Sequence, residues 1–128
     1  MNLPELNVIY GDLGQYVDVI GGLSRIMKNK KIYARLLSSF AENPHVNELH
    51  EPLVQRDAVE AQKAAHTVKG VAANLSLPLV YEISANMDAR LKTGDVDMLD
   101  EYEKLKAAVS KTVEYIAVVI ENIDDIEC

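Results

Sequence analysis

The chain has little with which to build a covalent or membrane-anchored framework. Its single cysteine, Cys128, is the last of 128 residues. That thiol has no intrachain partner for a disulfide, which fits a reducing compartment. No apolar run approaches the roughly 18 residues needed to cross a bilayer. The start, MNLPELNVIYGD, has no basic segment leading into an apolar one, so no secretory signal is expected. Positive charge is also scarce, with 13 Lys and Arg against 20 Asp and Glu and a net charge of −7. Nucleic acid is bound through clustered cations, so it is a poor partner for this chain. Glycine-rich nucleotide loops of the GxxxxGK[ST] or GxGxxG type are missing as well.

What is present is helical periodicity. In KKIYARLLSSFAEN, Ile32, Leu36, Leu37 and Phe40 recur at helical steps until Asn43-Pro44 interrupts them. In LPLVYEISANMDARLK, Leu79, Ile83, Met87 and Leu91 form one stripe, stopped by Gly94-Asp95. The longest pattern runs from about Asp97 to Ile123. Within it Val109, Val113, Ile116, Ile120 and Ile123 alternate steps of four and three, the seam of a helix packed lengthwise on others. Such spacing also suits a dimer seam, but a bundle interior is the preferred use and a monomer is expected. Between these patterns, Asp57 with Glu60 three residues on predicts a capping-box helix start. Pro78, preceded by Ser76, predicts its stop and the opening of the next helix. No window alternates as a strand does. The expected fold is all-α: an antiparallel four-helix bundle over residues 30–124, with one or two short helices in 1–29, forming one domain across 1–128.

The stretch AHTVKGVAA, residues 65–73, sets Gly70 among good helix formers. A mid-helix glycine costs about 1 kcal/mol relative to alanine, so its presence calls for a reason. On a helical wheel Ala61, Ala64, Ala65, Val68, Val71, Ala72 and Leu75 gather opposite His66. They predict the buried back of the helix. His66 is then exposed mid-helix on a rigid platform, with Gln62, Lys63, Lys69, Gly70 and Ala73 sharing its face. His45 and His50, in a polar stretch without partners at useful spacing, read as ordinary surface residues. No His, Cys or carboxylate joins His66 three or four residues away, and Lys63 and Lys69 would repel a cation, so no metal site is expected. No Ser or Cys on this face offers a nucleophile. A flanking cation suits an anion, and phosphorylation of the imidazole is the favoured chemistry, with Lys69 neutralising the phosphoryl group.

The string AHTVKGVAANLS resembles the signature of the histidine-containing phosphotransfer (HPt) domain family: H-x-x-K-G, then small residues and an Asn. The resemblance extends to GLSRIMKNKKIYARLLSSF (Gly22 to Phe40) before it and to MDARLKTGD (Met87 to Asp95) after it. Where many members carry a glycine soon after the Asn, this chain has Ser76. The resemblance implies a four-helix bundle with His66 as the phosphorylated residue and Lys69 and Gly70 at matching positions. It implies a cytoplasmic phosphorelay carrier serving response-regulator receiver domains and a sensor histidine kinase. Such a carrier has no autokinase activity and no cofactor of its own, Mg²⁺ belonging to the receiver. The wheel alone assigns Gln62, Lys63 and Ala73 to the phosphate or the partner. Two alternatives stay open. One is a module of a larger sensor or chemotaxis-type kinase, although Met1 suits a free-standing protein. The other is a helical scaffold or dimerisation element with His66 idle.

Overall fold

A computed structural model of the chain describes residues 1–127; Cys128 and the expectation attached to it lie outside them. Three short helices come first: α1 (Leu3–Ile9), α2 (Leu13–Tyr16) and α3 (Val19–Ser24). This is one more than the sequence reading allowed before Lys30. They are part of the core, because Leu6, Leu13, Val17, Val19 and Leu23 are all buried. The aromatic rings of Tyr10 and Tyr16 pack on Tyr115. The Tyr115 hydroxyl also donates to Asp12, and that bond pushes the Tyr115 hydroxyl up to about 12.

Four principal helices follow: α4 (Lys30–Glu42), α6 (Ala58–Leu75), α7 (Pro78–Lys92) and α8 (Leu99–Asn122). A 3₁₀ turn, Val46–Leu49, and the short α5 (His50–Val54) bridge the first two of these. Among the described residues no strand occurs, and no helix is long and apolar enough to cross a membrane.

Helix α4 starts where the Asn29 side chain accepts the Ile32 N–H at 3.0 Å, and it stops before Asn43-Pro44. Its buried residues are Tyr33, Leu37 and Phe40, whereas Ile32 and Leu36 are exposed at 41% and 40%. The expected stripe is therefore turned by one residue. The cause is Tyr33, whose ring lies over Gly22 and whose hydroxyl donates to the Leu75 carbonyl at 2.8 Å. Seating that ring inside carries Ile32 and Leu36 to the rim. A Cβ at Gly22 would come within 2.4 Å of the Tyr33 hydroxyl. Gly22→Ala should therefore destabilise the fold by about 1–3 kcal/mol, because neither the buried ring nor its bond can yield freely. A thermal melt unchanged from the parent would contradict this packing.

Helix α6 begins with the Asp57 side chain accepting the Glu60 N–H at 3.1 Å. Only half of the expected capping box forms, since the Glu60 carboxylate turns to Lys63. Ala61, Ala64, Ala65 and Ala72 are buried with Val68 and Leu75, and Val71 is half-buried. These small residues let the α7 backbone come close, and α6 and α7 make the most extensive helix–helix contact in the bundle. Helix α6 ends at Leu75, and Ser76 takes a left-handed conformation, φ 56° and ψ 60°. A non-glycine residue there costs roughly 1 kcal/mol that a glycine would not. Pro78 then opens α7, and Gly94, at φ +89°, follows its end.

Candidate functional site

His66 stands midway along α6 on the outward face, its side chain 62% exposed. The apolar back of the helix is buried as the wheel demands, so the imidazole is carried on a stiff support. Gly70 follows on the same face, and a Cβ added there would meet nothing within 4 Å. Packing within the chain therefore gives no reason for this glycine.

The sequence reading found no carboxylate near His66 along its own helix. The fold brings one from the next helix. Asp88 of α7 is 1% exposed, and its Oδ2 lies 3.6 Å from His66 Nδ1. Gln62 Nε2 donates to Asp88 Oδ1 at 2.6 Å and Lys69 Nζ to Oδ2 at 3.2 Å. Lys92, one turn on from Asp88, adds its ammonium at 3.4 Å. Burial alone would raise the Asp88 carboxyl. The bonds from Gln62 and Lys69, the Lys92 charge and the imidazole outweigh it and hold the carboxyl below its usual range. An ionised carboxylate inside a helix pair is tolerable only with such partners.

Two ammonium groups against one carboxylate leave a surplus of one positive charge beside the imidazole. In a chain of net charge −7 this is a local inversion of sign. The arrangement can orient an imidazole through one ring nitrogen and attract an anion to the other.

Gln62 and Lys63, which share the His66 face, have different partners within the chain. Lys63 pairs with Glu60 at 3.1 Å, 65% exposed, and Asp88 takes neither of its bonds from it. Gln62 faces the site through Asp88, holding the carboxylate. Lys69 and Gly70 flank His66 as read, and Ala73 lies half-buried further along the same face. Away from this cluster, His45 is not partnerless as expected, because its Nδ1 meets Glu48. The His50 ring lies near Tyr102. Among the described residues no three His, Cys, Asp or Glu side chains converge to hold a metal ion.

Asp88 and Lys92 were the residues the sequence reading missed. The available signal was a carboxylate next to Met87 on the edge of an apolar stripe, with a lysine four residues on. An acid at the margin of a buried face needs partners, and those had to come from a neighbouring helix.

Residues 35–117 match the Hpt domain family, from within α4 to within α8, and the chain belongs to that family. The all-helical architecture agrees with it. Hpt domains carry phosphoryl groups on histidine in phosphorelays, as carriers rather than enzymes, and interact with receiver domains and kinases. Neither the curated proteins nor the solved structures yield a match.

Proposed function

We propose that His66 is the phosphorylated residue and that the chain relays phosphoryl groups between aspartates of receiver domains. The observation that carries this reading is the exposed imidazole whose Nδ1 faces the buried, ionised Asp88. A carboxylate on that side assigns the ring proton to Nδ1 and leaves the Nε2 lone pair free. Nε2 attacks the phosphorus of an aspartyl phosphate on the docked receiver. The P–N bond forms as the acyl P–O bond breaks, and the electron pair leaves with the receiver's carboxylate. The Nδ1 proton stays in place, and the Asp88 carboxylate it faces stabilises the positive charge that develops on the ring. The reverse step delivers the group to a second aspartate. Little covalent chemistry is asked of the protein, since such transfers depend on in-line positioning and charge neutralisation. Lys69 supplies the second, and Lys92 adds to it. Mg²⁺ belongs to the receiver.

Incubation with a radiolabelled phospho-receiver tests the reading. Label should pass to this chain, survive alkali and be lost in acid. No label, or an acid-stable one, overturns it.

Gly70 has its place here as clearance for the partner's active-site loop. Gly70→Ala should stabilise the chain by about 0.5–1 kcal/mol, seen as a higher Tm, because the helix gains propensity and the methyl meets nothing. The same substitution should slow transfer from a receiver. Stability and rate both unchanged would remove this account of the glycine.

A further inference from the structure

Two grooves flank the C-terminal half of α6, either side of the face that carries His66. The larger, about 760 Å³, runs between Ile26 and Leu36 on one wall and Val71 and Asn74 of α6 on the other. The smaller, about 330 Å³, passes Ala73 and Pro78 to Tyr81, with Asp18 at its edge. Arg25 lines both and forms the ridge between them. Its Nε donates to Ser76 Oγ at 3.1 Å, and none of the ion pairs among the described residues involves it. Ser76 is also the residue that keeps a left-handed backbone where glycine would be unstrained. Its hydroxyl is what a glycine would lack, and that hydroxyl holds the guanidinium.

Charge runs the same way. From Arg25 to Arg35 the chain carries five cations and no acid, against a net charge of −7 overall. Exposed apolar groups are interleaved with them along the chain, and one of these, Leu36, turned to the rim by Tyr33, lines the larger groove. The surface is continuous with the phosphorylation face, since Ala73 belongs to both.

We infer that Arg25, held by Ser76 on the ridge between the two grooves, anchors the docked receiver domain by a bidentate pair with a carboxylate on its surface. The inference rests on the phosphotransfer reading and names how its partner is held. A planar fork matches a carboxylate through two parallel bonds, and arginine flanked by apolar pockets is a residue type on which transient interfaces concentrate their energy. The Nε bond to Ser76 fixes the plane of the fork before the partner arrives, which lowers the ordering cost of docking. Apolar side chains of the receiver then fill the grooves on either side.

Initial rates of transfer from a phosphorylated receiver to the full chain test this, with the receiver chosen as the fastest in a survey of the source organism's receivers. Arg25→Ala should raise KM about tenfold or more with kcat within about twofold, the loss of one anchoring pair. Arg25→Lys should not restore it, because a point charge cannot make the planar pair. Ser76→Gly relieves the backbone and so keeps the fold, yet should raise KM part of the way. Wild-type KM in both Arg25→Ala and Ser76→Gly overturns the inference. A changed oligomeric state in Arg25→Ala with unchanged KM does so too, and gives the surface to a second copy of the chain. Phosphoramidate, a small donor with no docking surface, is run on the wild type alongside. If neither donor labels the wild type, the phosphotransfer reading itself has failed, and Arg25 as its anchor falls with it.

Discussion

His66→Gln is expected to reduce phosphoryl uptake from a phospho-receiver to background. Glutamine keeps a polar side chain of comparable reach but has no ring nitrogen with a free lone pair, and its amide is not a nucleophile at neutral pH. The effect should be confined to chemistry. At 62% exposure His66 contributes little to packing, so the melting temperature should stay close to the parent's. Surface substitutions of this kind typically fall within about 0.5 kcal/mol. The measurement is label transferred per minute beside a thermal melt. Transfer that survives in the variant would move the acceptor elsewhere, with His45 and His50 next in line. Neither has a buried carboxylate behind its ring, which makes that outcome a sharp test.

The second large effect belongs to Asp88→Asn. The amide preserves shape and can still accept from Gln62, but it removes the negative charge that faces His66 Nδ1 and that Lys69 and Lys92 share. Carboxylates that orient an imidazole from behind are commonly worth about 10- to 100-fold in the function of the ring, and a fall of that size in transfer rate is expected. Stability should fall as well, by about 1–3 kcal/mol and toward the lower end, because the exposed Lys92 ammonium can remain in water.

The pH dependence separates the two roles of Asp88. Its carboxyl titrates lower in the folded chain than in the unfolded one. Between those two values the unfolded state binds more protons, so stability rises with pH there. The Asp88 contribution is thus complete above the ordinary carboxylate value of about 3.9 and is lost as pH falls through the lower native one. Denaturant melts of the wild type in acid should show this loss, and Asp88→Asn should lack that part of it. A variant that transfers at the wild-type rate would strip Asp88 of its proposed part in the chemistry and leave it a structural ion.

Much of this architecture is written in local signals. Asp57, Asn43-Pro44, Pro78 and Gly94 mark helix ends by backbone chemistry that acts within a few residues, and the helices start and stop beside them. Periodicity on α6 sorted one face from the other because the buried residues of a single helix must repeat near every 3.6 positions. His66, Lys69 and Gly70 were legible for the same reason.

What the sequence left undecided has a common cause. Ile32 and Leu36 were assigned to the inside of α4 on hydrophobicity alone, yet a neighbouring glycine made room for Tyr33, and the larger ring took the interior. The wheel puts Gln62 and Lys63 together on one face, and the fold gives them different intrachain partners, Asp88 for Gln62 and Glu60 for Lys63. In each case the decision lay in what a different segment placed opposite.

The amino-acid sequence by itself determined the ends of the principal helices α4, α6 and α7, the outward face of α6 and the identity of its exposed imidazole, because these depend on interactions among residues within a turn or two. Only the tertiary structure decided which carboxylate stands behind that imidazole, which side chains share it and what lies beside Ser76. Asp88 is 22 residues from His66, and Arg25 is 51 residues from Ser76. Pairs so separated meet only when the close packing of the alanine face of α6 on α7, and of α3 against the α6–α7 turn, sets whole helices against one another.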